Sequence, residues 1–190
     1  MKPVILYELD AIVPDEPRAM AGPLAEYLER DEDTIAGEIG AAAEYIDGRS
    51  NQGAFWEDVA ERLGLAEAEL LGGFAINAAT ARQDLLGRIR VQKSRALLGL
   101  VSDATADWVG HFRKALELDR LIQVHVINAD FAIEKPYDKL LRTAAERLNT
   151  DPGQVRFVAA KPHQLQTARD LGFQTVNAHS DLATAFSDLA

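Results

Sequence analysis

VILYELDAIVPDEP, residues 4–17, starts as an unbroken apolar run and turns polar at Glu8 and Asp10. The run reads as a buried strand, and side chains two positions apart on a strand point the same way. Glu8 and Asp10 are therefore expected to converge at one end of a sheet. That is the geometry of a catalytic carboxylate pair, or of what remains of one.

Working outward, three more strand-like runs follow at ALLGLVSDA (96–104), LIQVHVINA (121–129) and VRFVAA (155–160), with a shorter FQTVNA at 173–178. Between them the apolar residues recur at helical spacing. Trp108, Val109, Phe112, Ala115 and Leu116 share one face, and Leu140, Leu141, Ala144, Ala145 and Leu148 share another. Strand alternating with helix predicts right-handed crossovers, a parallel sheet covered on both faces, and a site at the carboxyl ends of the strands.

Residues 14–95 break the alternation, because no convincing strand occurs in them. They read as helices over about 33–47, 51–65, 66–78 and 82–93, with Phe55, Trp56, Val59, Ala60 and Leu63 on one face of the second. The expected division is a discontinuous α/β core, residues 1–13 and 96–190, with an all-helical cap inserted at 14–95. No internal repeat or low-complexity segment is present.

Composition bounds the function. A chain of 190 residues with 47% hydrophobic content suits one globular domain with a smaller insertion. It has no cysteine, which excludes disulfides and thiolate chemistry and fits a reducing compartment. The first ten residues are too short and acidic for a signal peptide, and no run reaches the ~18 apolar residues of a membrane span. A cytoplasmic protein without membrane contact is expected. With 30 acidic and 20 basic residues the formal charge is -10, which repels nucleic acid.

Several features together carry a resemblance. A first strand ends in two spaced acids and precedes a helical insertion. The next strand ends at Ser102, Lys135-Pro136 precedes a helix, and VRFVAAKPHQLQTARDLGFQTV (155–176) closes the pattern. This order resembles the haloacid-dehalogenase superfamily of phosphatases and dehalogenases over nearly the whole chain. The resemblance implies a three-layer, Rossmann-like parallel-sheet core with a helical cap. It also implies that Glu8 stands at the nucleophile position, where the family has Asp, and Asp10 at the general acid/base position. Ser102 stands where the family hydrogen-bonds a phosphoryl oxygen, and Lys135 where it neutralises the nucleophile and the transferring group. The family usually follows its Asp-x-Asp with Gly and Thr; here Ala11 and Ile12 stand there.

A glutamate carries its carboxylate about 1 Å or more beyond an aspartate, and misplacement on that scale can cost ~10²-fold in rate. The fourth motif departs further. The family places one or two aspartates after its fourth strand to hold Mg²⁺, and here Ala159, Ala160 and Lys161 stand there. No metal is expected. Lys161 is instead expected to set an ammonium beside Glu8 and Asp10, unless it points to solvent.

Other candidates are weaker. RQDLLGRIRVQKSR (82–95) reads as a solvated basic helix face before it reads as an anion clamp. His111, His125, His163 and His179 lack metal-site spacing. No glycine-rich phosphate loop, dinucleotide fingerprint or nucleophile elbow occurs. Phe55, Trp56 and Phe74 read as cap core rather than a pocket lining.

The expectation is a haloacid-dehalogenase-like protein with a degenerate active site. Its expected role is non-catalytic, either binding a small anionic or phosphorylated ligand through Ser102, Lys135 and Lys161, or serving as an interaction scaffold for a protein partner. The alternative is an active phosphatase using Glu8 as an atypical nucleophile with Asp10, Ser102 and Lys135, and only that alternative brings in Mg²⁺ as a cofactor. Substrate, partner and oligomeric state are not written in the chain.

Overall fold

Val4–Glu8 forms β1, and it is hydrogen-bonded along both edges. Its partners are β2 (Leu97–Ser102) on one side and β4 (Val155–Ala159) on the other. The outer strands are β3 (Val124–Ile127) and β5 (Gln174–Asn177), every pairing is parallel, and the order is β3-β2-β1-β4-β5. The computed structural model describes residues 2–14, 17–45, 52–66, 68, 71–73, 80–104, 106–131, 136–180, 182 and 186.

Every residue of β1 is buried, as expected for a central strand covered on both faces. Leu6, Val101, Phe157 and Ala159 pack with Leu140, Leu141, Ala144 and Ala145 of helix Tyr137–Arg147 and the adjoining Leu148, and with Leu165 and Ala168 of helix Pro162–Asp170. Strand alternation then turns Tyr7 to the opposite face, where its Oη donates to Gln92 Oε1 on helix Gln83–Gln92. The result is a three-layer α/β sandwich.

In chain order the helices are α1 (Leu9–Ile12), α2 (Pro17–Leu28), α3 (Glu32–Tyr45), α4 (Gln52–Leu63), α5 (Gln83–Gln92), α6 (Ala106–Ala115), α7 (Leu118–Leu121), α8 (Tyr137–Arg147) and α9 (Pro162–Asp170). From β1 the chain steps outward through β2 to β3, then returns to the far side of β1 as β4 and β5. The order reverses between β1 and β4. In an open parallel sheet the crevice at the carboxyl end of that reversal is where ligands bind, and here it lies beside Glu8 and Ala159.

The chain divides into two compact units, Met1–Pro14 with Ala81–Ala190, and Asp15–Thr80. Residues 81–95 thus join the sheet-bearing unit, not the insertion to which their lack of strand character assigned them. The cause is packing: Leu85, Leu86 and Ile89 are fully buried, Arg82 N donates to Ile12 O at 2.8 Å, and Arg82 Nη1 donates to Ala178 O at 2.6 Å. In the second unit, Arg30 Nη1 donates to Leu63 O at 2.6 Å, and Asp31 Oδ2 accepts from Thr34 N at 2.8 Å, capping α3. Helix α2 is not among the expected helices; it starts at Pro17, a position that suits proline, and forms with Pro23 inside it. Trp56 is buried and meets Phe55 edge-on at 4.9 Å, whereas Phe74 and most of 66–78 lie outside the described residues. Among the described residues no helix is long and apolar enough to cross a membrane.

Gly99 marks the tightest approach in the sheet. A Cβ there would lie 2.9 Å from Leu6 Cδ1 and 3.1 Å from Leu148 Cδ1, both buried. Gly99→Val is therefore expected to destabilise the protein by about 1–3 kcal/mol in urea unfolding. A loss below about 0.5 kcal/mol, the range of ordinary surface changes, would mean that the α8 packing is looser than described.

Candidate active site

Glu8 is the last residue of β1, and its side chain is 1% exposed. It faces the α8 side with Leu6, by alternation. Tyr137, the first residue of α8, donates from Oη to Glu8 Oε2 at 2.6 Å. Among the described residues nothing hydrogen-bonds the other oxygen, Oε1. Burial, then the nearby carboxylates of Asp103 and Asp10, raise the Glu8 carboxyl well above its ordinary value of 4.5, while the Tyr137 hydrogen bond and Lys161 oppose that rise without cancelling it. Burial, then the negative charge at Glu8, raise the Tyr137 phenol as well. Burial thus shifts both groups toward their protonated forms.

Asp10 does not share the strand with Glu8. The strand ends at Glu8, and residues 9–12 form the helical turn α1, so strand alternation does not place Asp10. The turn still brings it close enough to raise the Glu8 carboxyl, and it is 5% exposed. Lys161, the residue that caps α9, holds its Nζ 3.6 Å from Asp10 Oδ2. An ammonium next to a nearly buried carboxylate is a charge pair in a poorly screened place.

Ser102 ends β2 and is 1% exposed, and its Oγ accepts from Ala104 N at 3.1 Å, closing its own turn. Lys135 lies outside the described residues. Of the histidines, His125 is held by a ring nitrogen 3.2 Å from Ile122 O on the edge strand, away from the central carboxylates. Two residues went unremarked in the sequence. Tyr137 follows Lys135-Pro136 directly, and that adjacency was the available signal. Gln164, on the first turn of α9, is fully buried with both amide atoms lacking a hydrogen-bond partner among the described residues; nothing in PHQLQ distinguishes it from a solvated glutamine.

The side chains here do not fit Mg²⁺, which asks for carboxylate oxygens and retained water. Ala159 and Ala160 offer none, Glu8 is a buried acid already bonded to a phenol, and Lys161 brings a positive charge. Among the described residues no group of three or more His, Cys, Asp or Glu could hold a metal ion.

Two outcomes follow. Because Glu8 is protonated more readily in the folded chain than in the unfolded one, its contribution to stability is complete below about pH 4.5 and is lost as pH rises toward its folded value. One such proton is worth at most about 1.4 kcal/mol per pH unit. Unfolding titrations from pH 5 upward should show Glu8→Gln gaining stability on the natural protein as pH rises; parallel curves would mean that Glu8 is ionised in the fold. Gln164→Met, which removes two unsatisfied buried polar groups at nearly constant volume, should leave stability unchanged or raise it by about 1–2 kcal/mol. A loss of that size would show that the amide has a partner.

The carboxyl-edge arrangement of Glu8, Asp10, Ser102 and Lys161 can be compared with known proteins. No curated protein matches the chain. Solved structures share its fold. An L-2-haloacid dehalogenase from Xanthobacter autotrophicus with chloropropionic acid covalently bound superposes at a TM-score of 0.73 and 16% identity, covering 93% of this chain and 77% of that one. A HAD family enzyme from Bacteroides thetaiotaomicron, in complex with magnesium and inorganic phosphate, gives 0.65 and 12% over 98% and 100%. A further dehalogenase gives 0.70 and 20% over 93% and 84%. The family model for haloacid dehalogenase-like hydrolases matches residues 82–178. This chain belongs to the haloacid dehalogenase-like hydrolase family.

Proposed function

We propose that this protein binds a small anionic or phosphorylated ligand at the carboxyl edge of its sheet without hydrolysing it. The observation that carries the reading is the hydrogen bond from Tyr137 Oη to the buried Glu8 carboxyl at 2.6 Å. A carboxyl attacks phosphorus or carbon only as the anion, with a lone pair aimed at the substrate. Burial shifts Glu8 toward its neutral form, and one of its oxygens is already engaged. Lys161, beside Asp10, supplies positive charge where the family resemblance would call for a metal.

The second reading is hydrolysis. The family is one of hydrolases, and among the similar structures the Xanthobacter dehalogenase has chloropropionic acid covalently bound. In that reading Glu8 ionises on substrate binding and attacks, Asp10 moves the proton, and Ser102 and Lys135 steady the charge.

Purified protein should turn over neither aryl phosphates with Mg²⁺ nor 2-haloacids at ordinary enzyme rates, ~1 s⁻¹ or faster. Turnover at that level, abolished by Glu8→Ala, would establish the hydrolase instead. The losses should also be reversible together. Glu8→Asp with Ala160→Asp and Lys161→Ser should bind Mg²⁺ by calorimetry where each single change does not, because groups acting as a unit are strongly non-additive. Absence of Mg²⁺ binding in the triple variant would mean that FVAAKP does not stand in the metal-binding place.

A further inference from the structure

We propose that the side-chain amide of Gln164 selects the ligand, Nε2 donating to an oxyanion oxygen while Oε1 accepts from a hydroxyl that the same ligand carries. The site then takes a small oxyanion that keeps an O–H of its own, and disfavours one that has none. The inference rests on the anion-binding reading and specifies its chemistry. Gln164 is fully buried, and neither of its amide atoms has a hydrogen-bond partner among the described residues. Buried polar side chains are normally paired, and one left unpaired costs stability. An amide holds two donors and an acceptor in one group, so its complement is a molecule that offers both kinds of atom.

The position of Gln164 aims it at the carboxyl edge of the sheet. β4 runs beside β1 with Val158 level with Tyr7, and α9 starts at Pro162, just past the end of β4. Cα–Cβ bonds tilt toward a helix's N-terminus, so a side chain in the first turn leans back over that edge. A capping residue and the third residue of its helix lie side by side, which sets Gln164 next to Lys161. Lys161 carries the positive charge, its Nζ 3.6 Å from Asp10 Oδ2, and its partial exposure marks the solvent side of the turn. The first turn also presents backbone N–H groups and the positive end of the helix dipole. Lysine and dipole attract any anion. Gln164 distinguishes one that bears a proton.

At about pH 8 hydrogenphosphate and sulfate are tetrahedral dianions that differ in one proton. Lactate and propionate differ in one hydroxyl. Calorimetry on the full chain with these anions separates the two sources of the chemistry, a phosphate or a hydroxy acid. In the pair that binds, the hydroxyl-bearing member should bind at least about tenfold more tightly, because the other leaves Gln164 Oε1 unpaired. Gln164→Met should bring the two members within about threefold of each other. Lys161→Gln should weaken both members alike and keep their ratio. Thermal unfolding of each variant checks that it is folded. Members within about threefold in the natural protein, or a ratio of about tenfold that survives Gln164→Met, overturn the role of Gln164 while anion binding stands. If the natural protein binds none of these anions, the anion-binding reading fails, and this inference with it.

Discussion

A carboxyl group carried into the interior at the end of the central strand is the constraint around which the site is arranged. β1 pairs with β2 on one edge and β4 on the other, so Glu8 reaches the carboxyl edge with protein on both flanks. An isolated buried carboxylate is costly, so burial favours the protonated form of Glu8, and the group takes a hydrogen bond. Tyr137 supplies that bond from the start of α8, the helix whose apolar face packs on Leu6 and Phe157. The same packing that builds the core therefore fixes the phenol against the acid.

The two acids differ in environment although they are two residues apart. Glu8 sits on the strand with a neutral donor against it. Asp10 sits on a helical turn with an ammonium 3.6 Å away. One carboxyl is thus shifted by burial toward its neutral form, and the other is matched by a cation. Groups set apart in this way by their surroundings take different roles. Under the proposed reading this division suits recognition of an anion better than attack on one.

The strands were legible because each is a short apolar run bounded by polar residues, and the parallel sheet followed from their alternation with helices. Ser102 and Glu8 were placed at strand ends for the same reason. Asp10 was misplaced because strand periodicity gives no notice that the strand stops two residues earlier, at Glu8. Helix α2 carries Pro23 inside it, a local cost that the burial of Leu24 and Ala21 offsets. The membership of 81–95 depended on long-range contacts from Arg82 and Gln92, which no local pattern encodes. Tyr137 and Gln164 matter through burial and partners, and residue type alone does not report either.

The ionisation of Glu8 tests the account most directly. Carbon-13 NMR of the glutamate side-chain carboxyls, assigned with Glu8→Gln, follows that proton against pH in the folded protein. The account predicts a Glu8 carbon that titrates well above 4.5. A Glu8 carbon that titrates near that ordinary value, and is ionised at pH 7, would contradict it.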